Sequence, residues 1–333
     1  MKHKTLLPSL GVLLTAIGVS CDLAWTALSS QALSQQSSSP RTKITVVKTP
    51  YHGWRDAWVL SNGKVEVVVV PQLGRVMQFR FKHGENPFWE NRKLDGKSPD
   101  PRSQDWHNFG GDKAWPAPQS DWKQVTRRAW PPPVGFDAMP MTIELKNNGV
   151  KLISAIDPFY GIQAQRLIQL DPEQAVMTIS TTYQKVKGEP QEVGIWVITQ
   201  LQDPTVIYAA LPEPSIFPEG YNQQSNTLPA DLKVNNGILS LTRSATTSHK
   251  IGCDSSMLLW VGKQVAMRID APQIVGANYP DRGSSAEIYT NPNPDAYVEL
   301  EFLSPLKKMQ IAESIHFTTT YTLMQRAVLS RKR

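Results

Sequence analysis

Polar and apolar residues alternate with a period of two along most of this chain, and this pattern constrains the fold more than any other feature. Residues 75–81 and 141–146 alternate cleanly, whereas residues 64–70 start as an alternating strand and become apolar on both faces. Such alternation is typical of β-strands that bury one side of a sheet. We expect further strands at residues 150–155, 162–170, 175–183, 193–200, 205–209, 238–243, 257–261, 265–271, 297–303 and 315–324. No long amphipathic helix interrupts them, so the sequence predicts an all-β fold built as a large antiparallel sandwich.

Turn signals and composition indicate one domain rather than several. Asn147-Asn148-Gly149 is a hairpin signal, and clusters containing Gly and Pro separate other strands. Hydrophobic residues make up 40% and charged residues 19% of the 333 residues, which is ordinary for a globular protein with a large core. Because no linker divides the chain after residue 45, we assign residues 45–328 to a single domain. Residues 211–230 are rich in Pro, Gly and Asn and are expected to form a long loop.

The first residues have the features of an export signal. A basic start at residues 2–4 precedes an apolar run at residues 6–19, which is too short to span a bilayer. Two processing routes fit this pattern. Residues 18–21 resemble a lipobox in which Cys21 would carry a lipid, and residues 30–32 end a cleavage site of small residues.

We therefore interpret residues 1–32 as a signal peptide. Residues 33–44 form a spacer that we expect to be disordered, because Ser and Gln dominate it and large apolar groups are nearly absent. By either route we expect a periplasmic or secreted protein. Its attachment to a membrane would come only through a lipid on Cys21.

Charge and cysteine content exclude several classes of function. The formal net charge is +6 at pH 7, but the positive residues are scattered, so we expect a solvated basic surface and no nucleic-acid partner. Cys21 and Cys253 are the only cysteines, which leaves neither a disulfide framework nor a cysteine-based metal site. The histidines lack metal-ligand spacing, and no P-loop, G-x-S-x-G or G-x-G-x-x-G motif occurs. We therefore expect no metal and no cofactor, and we expect a monomer.

Residues 106–122 combine aromatic, charged and glycine residues in a pattern that is neither helical nor alternating. Half of the ten tryptophans of the chain fall close together, namely Trp89, Trp106, Trp115, Trp122 and Trp130. Gly110-Gly111 permits positive φ, and two prolines prevent a regular helix. We predict an ordered loop whose flat indole faces and polar groups suit a sugar ring, which has an apolar C–H face and a rim of hydroxyls. The alternative is that these tryptophans plug one end of the sandwich.

Several motifs resemble galactose mutarotase-like (aldose 1-epimerase-like) proteins. The opening pattern of that family is matched by Leu60-Ser61-Asn62-Gly63, the apolar strand at 65–70, Pro71, Gly74-Arg75 and Phe79. Residues 88–91 and 108–119 resemble an uncharacterised bacterial branch of the superfamily, usually described only as a domain of unknown function. Residues 297–305 and 312–314 are similar to the last two strands of the family. The resemblance covers roughly residues 45–325. It implies a galactose mutarotase-like β-supersandwich with a sugar site across its concave sheet.

The resemblance also implies a general base in a late strand. Mutarotation needs one group that takes the proton of the anomeric hydroxyl and another that protonates the ring oxygen. The base of the family is a glutamate in a Leu-Glu-x-x-x-Pro context, and Glu301 occupies that position in residues 300–305. Glu299 lies two residues away and therefore on the same face of the strand, where two buried carboxyl groups would raise each other's pKa. The alternative is a solvated strand face.

The acid that the family places in a middle strand has no counterpart here. The matching residues 194–200 contain no histidine, and Trp196 and Gln200 occupy the region. A glutamine can hold a hydroxyl but cannot donate a proton as an imidazolium does. His107 resembles, more loosely, a second histidine of the sugar site and is the candidate acid, and the alternative is a loop histidine bonded to the backbone. In this position the chain departs from the pattern that the resemblance implies for ordinary aldose mutarotation.

The other candidate ligand contacts lie in or near the aromatic segment. Arg75 either points into the cleft, as the basic residue of the family does, or pairs with a neighbouring strand. Asp112 and Lys113 either anchor hydroxyls or pair with each other at the surface. The predicted substrate-binding residues are Arg75, Trp89, Trp106, Asp112, Lys113, Trp115, Gln119, Trp122, Trp196, Gln200 and Glu299.

The sequence thus predicts an exported carbohydrate-binding protein with an epimerase-like cleft, in which Glu301 and His107 would interconvert sugar anomers. Two alternatives stay open: a carbohydrate-binding protein without catalysis, and a structural or interaction domain of the cell envelope. The sugar hypotheses require Trp106, Trp115 and Glu301 to converge on one hollow.

Overall fold

The computed structural model describes residues 43–326, which form two large antiparallel β-sheets packed against each other. The strands are β1 (Thr45–Tyr51), β2 (Trp54–Ser61), β3 (Val65–Val70), β4 (Arg75–Phe81), β5 (Asp112–Ala117), β6 (Thr142–Lys146), β7 (Gly149–Ile156), β8 (Ile162–Leu170), β9 (Val176–Lys185), β10 (Gln191–Gln202), β11 (Val206–Ala210), β12 (Asn222–Gln223), β13 (Lys233–Asn235), β14 (Ile238–Leu241), β15 (His249–Cys253), β16 (Met257–Val261), β17 (Val265–Asp270), β18 (Ala286–Thr290), β19 (Tyr297–Leu303), β20 (Lys307–Met309) and β21 (Ser314–Gln325). The short helices are α1 (Trp122–Thr126), α2 (Val134–Asp137) and α3 (Pro280–Gly283). No helix within this part of the chain is long and apolar enough to cross a membrane. The expected signal peptide and nearly all of the expected spacer lie outside the described residues.

The strand order defines two sheets. The first sheet has eleven strands in the order β1-β2-β3-β4-β5-β10-β19-β18-β15-β12, with β20 paired to β10. The second sheet has ten strands in the order β13-β14-β11-β16-β17-β21-β9-β8-β7-β6. The prediction of an all-β fold built from a large antiparallel sandwich is therefore confirmed.

Burial along the strands explains how the sheets pack. Buried residues alternate strictly along β8 and β9 of the second sheet, so one face of these strands packs into the core and the other faces outward. In contrast, β10 is buried at every position from Val193 to Leu201. Its inner face packs against the second sheet, and its outer face is covered by tryptophans, since the Trp122 ring lies 6.3 Å from that of Trp196. The outer face of the first sheet around β10 is therefore enclosed rather than solvated.

The prediction of a loop over residues 106–122 is wrong in its middle part, because Asp112–Ala117 forms strand β5. This strand pairs along its whole length with β10, but it pairs with β4 only at Asp112. Beyond Asp112 one edge of β5 is therefore free of a partner strand, and Pro116 can lie there without costing a ladder hydrogen bond. The sequence predicted a loop here because a proline has no N–H group to donate and is therefore unfavourable inside a strand that is paired on both edges.

Alternation along β5 sends neighbouring side chains to opposite faces of the first sheet. Asp112 points into the space between the sheets, where Arg166 of β8 pairs with it. The hydroxyls of Thr199 and Tyr321 donate hydrogen bonds of 2.7 and 2.6 Å to the same carboxylate. Asp112 therefore links the two sheets. It is fully buried and pairs with Arg166, so the alternative of a surface pair with Lys113 is wrong.

Candidate functional site

A cavity of about 320 Å³ lies on the outer face of the first sheet. Its wall is formed by Trp106, Trp115, Gln119, Trp130, Trp196, Lys250, Tyr289, Tyr297, Glu299 and Glu301. Two larger surface clefts, of about 530 and 490 Å³, are lined mostly by loop residues and by no buried charged side chain. The smaller cavity thus brings aromatic faces and buried ionisable groups together.

The strand register explains why these side chains meet. Glu301 of β19 lies between Ile198 of β10 and Glu287 of β18. Two residues further along these strands, Glu299 of β19 pairs with Tyr289 of β18. We call each such set of paired residues across the strands a row. Side chains that lie two apart on a strand share one face, so both rows face the same side of the sheet.

The aromatic part of the wall is a cluster of indoles in edge-to-face contact. The Trp115 ring lies 6.1 Å from Trp106, 5.9 Å from Trp130 and 5.5 Å from Trp196, with interplanar angles between 73° and 80°. Edge-to-face contacts of this kind are favoured by the charge distribution of aromatic rings. The fully buried Trp122 lies behind the wall, where its indole N–H donates to the Pro116 carbonyl. The cluster therefore presents several indole faces to one space.

One buried carboxylate fixes the orientation of two wall indoles. Asp137, at the end of α2, accepts hydrogen bonds from the indole N–H groups of Trp106 (2.8 Å) and Trp115 (2.9 Å). Arg75 Nη2 lies 2.6 Å from the same carboxylate, and its other terminal nitrogen donates to the Gly110 carbonyl. Arg75 is thus buried behind the wall and not at the cavity. Of the two alternatives for Arg75, pairing is the one observed, although its partner is on a loop helix.

A cluster of two carboxyl groups and one ammonium forms the charged floor of the cavity. Lys250 Nζ lies 2.7 Å from Glu287 Oε2 and 3.1 Å from Glu301 Oε2. The indole N–H of Trp196 donates a hydrogen bond of 2.6 Å to the same Glu301 oxygen. Within residues 43–326, no donor reaches the other oxygen, Glu301 Oε1. Glu301 thus brings to the cavity wall a buried carboxyl with one oxygen held by Trp196 and Lys250 and the other without a hydrogen bond.

Burial raises the pKa of Glu301 well above its ordinary value. Lys250 opposes this effect, while the neighbouring carboxyl groups of Glu287 and Glu299 add to it. A carboxyl whose pKa is moved toward neutrality is a stronger base than an exposed glutamate, so Glu301 has the chemistry of a proton-transfer group.

A second polar group lies beside the first. Gln200 Nε2 donates a hydrogen bond of 2.7 Å to Glu299 Oε1, and Lys113 Nζ lies 3.6 Å from the same oxygen. Lys113 is almost completely buried and also lies 4.7 Å from the centre of the Trp115 ring. Burial lowers the pKa of Lys113 to about 8, although Glu299 partly offsets this effect. Near neutral pH, Lys113 can therefore give up a proton far more easily than a surface lysine.

The lowered pKa of Lys113 predicts how stability depends on pH. Between about pH 8 and pH 10.5 the unfolded chain keeps this proton while the folded protein has released it. The free energy of unfolding should therefore rise with pH in that window, at up to about 1.4 kcal/mol per pH unit from this group. Urea unfolding of the wild type and of Lys113→Met should show that the variant lacks this contribution. Lys146→Met, at an exposed lysine, is the control and should keep the slope. An equal slope in the wild type and Lys113→Met would contradict the assignment.

The structure brings most of the predicted site residues together. Those that line the cavity are Trp106, Trp115, Gln119, Trp196, Glu299 and Glu301. Those that lie directly against lining residues are Trp89, Lys113, Trp122 and Gln200. Trp106, Trp115 and Glu301 thus converge on one hollow, as the sugar hypotheses require.

His107 is not at the cavity. It is exposed, and it lines a different, small cavity together with Arg128, Pro131 and Pro132. The assignment of His107 as the acid has no support from this placement, because a proton donor must be within hydrogen-bond reach of the ligand. Lys113 and Glu299 are the proton-carrying groups that the structure offers instead.

Five residues of the site were missed by sequence reasoning: Trp130, Lys250, Glu287, Tyr289 and Tyr297. Trp130 was noted only as a flanking aromatic. Lys250 and Glu287 lie on β15 and β18, two short strands that the sequence pattern did not reveal. Tyr297 carried a signal, because it begins the strand of Glu299 and Glu301 and shares their face.

The double glycine has the predicted role in the backbone. Gly110 and Gly111 have φ values of 89° and 74°. A Cβ at Gly110 would overlap the carbonyl oxygen of Trp89, to which Gly111 N donates a hydrogen bond of 2.9 Å. The two glycines therefore let the aromatic segment pass close to the strand edge before β5 begins.

Metal binding has no structural basis in the described part of the chain. No group of three or more His, Cys, Asp or Glu side chains between residues 43 and 326 is arranged to hold a metal ion. Cys253 is free and buried, and burial raises the pKa of its thiol to about 12, which leaves it unreactive.

Comparison with solved structures identifies the fold. A galactose mutarotase-like protein from Lactobacillus casei ATCC 334 matches 80% of this chain and 99% of its own, with 7% identity and a TM-score of 0.55. A galactose mutarotase related enzyme from Lactobacillus acidophilus matches 82% of this chain and 98% of its own, with 9% identity and a TM-score of 0.51. A TPR-domain containing protein from Parabacteroides distasonis ATCC 8503 matches 83% of this chain and 50% of its own, with 12% identity and a TM-score of 0.54. At such identities the likeness shows the fold alone.

Comparison of the sequence with protein families gives one match, and a comparison with curated proteins finds none. The match is to a family described as a domain of unknown function (DUF4380), and it extends over residues 56–321, which include every strand that contributes to the cavity. This chain therefore belongs to the DUF4380 family and has the fold of galactose mutarotase-like proteins.

Proposed function

We propose that the cavity binds a sugar ring and that Glu301 exchanges a proton with the anomeric hydroxyl of that sugar. One observation carries the proposal: four indoles and the buried carboxyl of Glu301 line the same cavity. The volume of this cavity lies at the lower end of the range of about 300–1,000 Å³ that is typical of small-molecule sites.

The lining suits a pyranose because it combines two kinds of surface. The indole faces of Trp115 and Trp196 can cover the apolar C–H face of the ring. Glu299 and Glu301 can accept hydrogen bonds from its hydroxyls, which are directional and fix the position of the ring. Trp130 and Gln119, which are the exposed members of the wall, form the rim.

The proposed chemistry begins at Glu301. Its ionised carboxylate takes the proton from the anomeric hydroxyl as the bond between C1 and the ring oxygen breaks, and the ring oxygen takes up a proton. Rotation about C1–C2 followed by the reverse proton transfers yields the other anomer. Lys250 and Trp196 hold Glu301 Oε2 during these steps, which leaves Oε1 to exchange the proton.

We propose that the pair of Glu299 and Lys113 supplies the proton on the side of the ring oxygen. Lys113, with its pKa lowered to about 8 by burial, lies 3.6 Å from the carboxylate of Glu299, which itself lines the cavity. Proton transfer from Lys113 to Glu299 and on to the sugar would replace the imidazole that the family's middle strand lacks here. This assignment takes the place of His107.

A second candidate function is sugar binding without catalysis. It is favoured by one observation: no histidine side chain of residues 43–326 lines the cavity. The same aromatic faces would then hold the ring, and Glu301 would accept a hydroxyl hydrogen bond. In both cases the proposal includes export from the cytoplasm, which depends on residues 1–32 alone.

A panel of monosaccharides tests both functions. At least one sugar should raise the Tm, because a ligand at 100 times its Kd adds about 2.7 kcal/mol to the free energy of unfolding. Trp130→Ala, at the cavity rim, should lose this shift, whereas Trp58→Ala, on β2 and away from the cavity, should keep it. Exchange NMR on the sugar that binds then distinguishes the functions: anomer interconversion above the buffer rate supports catalysis, and the buffer rate supports binding alone. No shift with any sugar would refute both.

A further inference from the structure

Most hydrogen-bond donors at the base of the cavity are already engaged within the protein. The indole N–H groups of Trp106 and Trp115 both donate to Asp137, and that of Trp196 donates to Glu301. These indoles can therefore offer a ligand their faces but not their N–H groups.

The other polar groups at the base follow the same rule. Lys250 lies between two carboxylates, and the hydroxyl of Tyr289 donates a hydrogen bond of 3.0 Å to Asn291. Donors remain at the exposed rim, on Gln119 and Trp130. Among the buried atoms of the described residues at this site, the acceptors Glu301 Oε1 and Gln200 Oε1 have no hydrogen-bond partner, and the one such donor, Lys113 Nζ, lies behind the wall, 3.6 Å from Glu299. A ligand that fits this base must bring donors and needs few acceptors.

Two indole rings of this site already have a lysine ammonium group lying over them. Lys250 Nζ lies 4.7 Å from the centre of the Trp196 ring, and Lys113 Nζ lies 4.7 Å from that of Trp115. Both distances are within the range of about 6 Å in which the electron-rich face of an aromatic ring attracts a cation. Indoles of this cluster therefore already take part in cation–π contacts.

The charged residues of the wall have an excess of negative charge. Glu299 and Glu301 line the cavity together with Lys250, and the ammonium of Lys113 lies 3.6 Å from Glu299 behind the wall. A third carboxyl, Glu287, lies 2.7 Å from Lys250 and compensates its charge from behind the wall. An anionic ligand would meet this excess directly, whereas a cationic ligand would reduce it.

We propose that the cavity selects a sugar that carries a protonated amine, in preference to the corresponding neutral or acidic sugar. This inference rests on the proposed function, since it names the class of sugar. An ammonium has three donors and no acceptor, so it matches a base that offers indole faces and carboxylate oxygens. The ammonium binds against Glu299, and the ring and its hydroxyls extend toward the donors at the rim.

Isothermal titration calorimetry at about pH 6, where the amine is protonated, tests the inference. D-Glucosamine and D-galactosamine are each compared with the parent hexose, the N-acetyl derivative and the uronic acid. We expect one of the amino sugars to bind about tenfold or more tightly than its parent hexose, from the added cation–π and ionic contacts. The N-acetyl derivative, which has no charge, and the uronic acid should lose this advantage. In Glu299→Gln the preference should fall to about twofold or less, whereas Glu144→Gln, on β6 of the second sheet, should keep it.

The outcomes separate this inference from the proposed function. If a neutral or acidic sugar binds as tightly as its amino analogue, the inference is wrong and the sugar site stands. If no sugar of either series binds but tetramethylammonium does, the cavity prefers cations but the proposed sugar function is wrong. If none of these probes binds, both are wrong. The wild-type comparison decides between these results even if Glu299→Gln fails to fold.

Discussion

Glu301→Gln is expected to lower the rate of anomer interconversion by about 10²- to 10⁴-fold, which is the usual contribution of a positioned general base or acid. The amide keeps the shape of the side chain and one oxygen for the N–H of Trp196 and for Lys250, but it cannot take a proton. Sugar affinity should stay largely intact, because the indole faces that hold the ring do not change. The measurement is exchange NMR at saturating sugar, with Kd from calorimetry.

The pH dependence of stability provides an independent check on Glu301. Its pKa is raised in the folded protein, so the folded state holds this proton at pH values where the unfolded chain has lost it. The stability that this group contributes is fully present below its ordinary pKa and is lost as pH rises through the raised value. The Glu301→Gln variant should lack this loss. Glu66→Gln, at a partly exposed glutamate that pairs with Arg80, is the matched control for both measurements. Catalysis that persists in Glu301→Gln would rule out the proposed base.

Asp137→Ala is expected to lower the free energy of unfolding by about 3–5 kcal/mol, because it leaves Arg75 charged and buried without its partner. It also removes the acceptor of two indole N–H groups. Sugar binding should weaken together with stability, since Trp106 and Trp115 lose their fixed orientation. Urea unfolding gives the first quantity, and calorimetry under conditions that keep the variant folded gives the second.

The double variant Arg75→Met with Asp137→Ala tests the cause of this loss. If the unpaired charge dominates, the double variant should be more stable than Asp137→Ala alone, although the unsatisfied indoles keep it below the wild type. Asp56→Ala removes an exposed ion pair with Lys48 and should cost no more than about 1 kcal/mol. A loss in Asp137→Ala as small as that of Asp56→Ala would show that the buried pair does not hold the wall.

The sequence predicted the strands well where alternation is long and uninterrupted. The expected bounds of β16 and β19 coincide with the observed ones, and Glu299 and Glu301 follow from β19 alone. In contrast, β15 and β18 are five residues each and contain Gly252 or small polar residues. Their partners along the sheet determine them, and a pattern inside one segment cannot reveal such partners. Lys250 and Glu287 were missed for this reason.

The site shows the same division between local and tertiary information. The indoles of Trp106 and Trp115 were predicted from their local density in the sequence, but their shared acceptor Asp137 comes from a separate helix. Asp112 and Lys113 look alike as a charged pair in sequence, yet strand alternation places one between the sheets and the other beside the cavity. Which of the two residues can contact a ligand depends on which face of the first sheet packs against the second sheet, and the local sequence does not contain that information.

The carboxylate of Asp137 has a consequence for how a ligand would enter. One anion holds two indoles and an arginine, so an indole that turned outward would lose both its hydrogen bond to Asp137 and its edge contact with the other indole. The aromatic wall is therefore rigid, and the cavity has its shape before a ligand binds. Such pre-organisation reduces the entropy lost on binding and makes discrimination depend on size and fit rather than on closure of the protein around its guest.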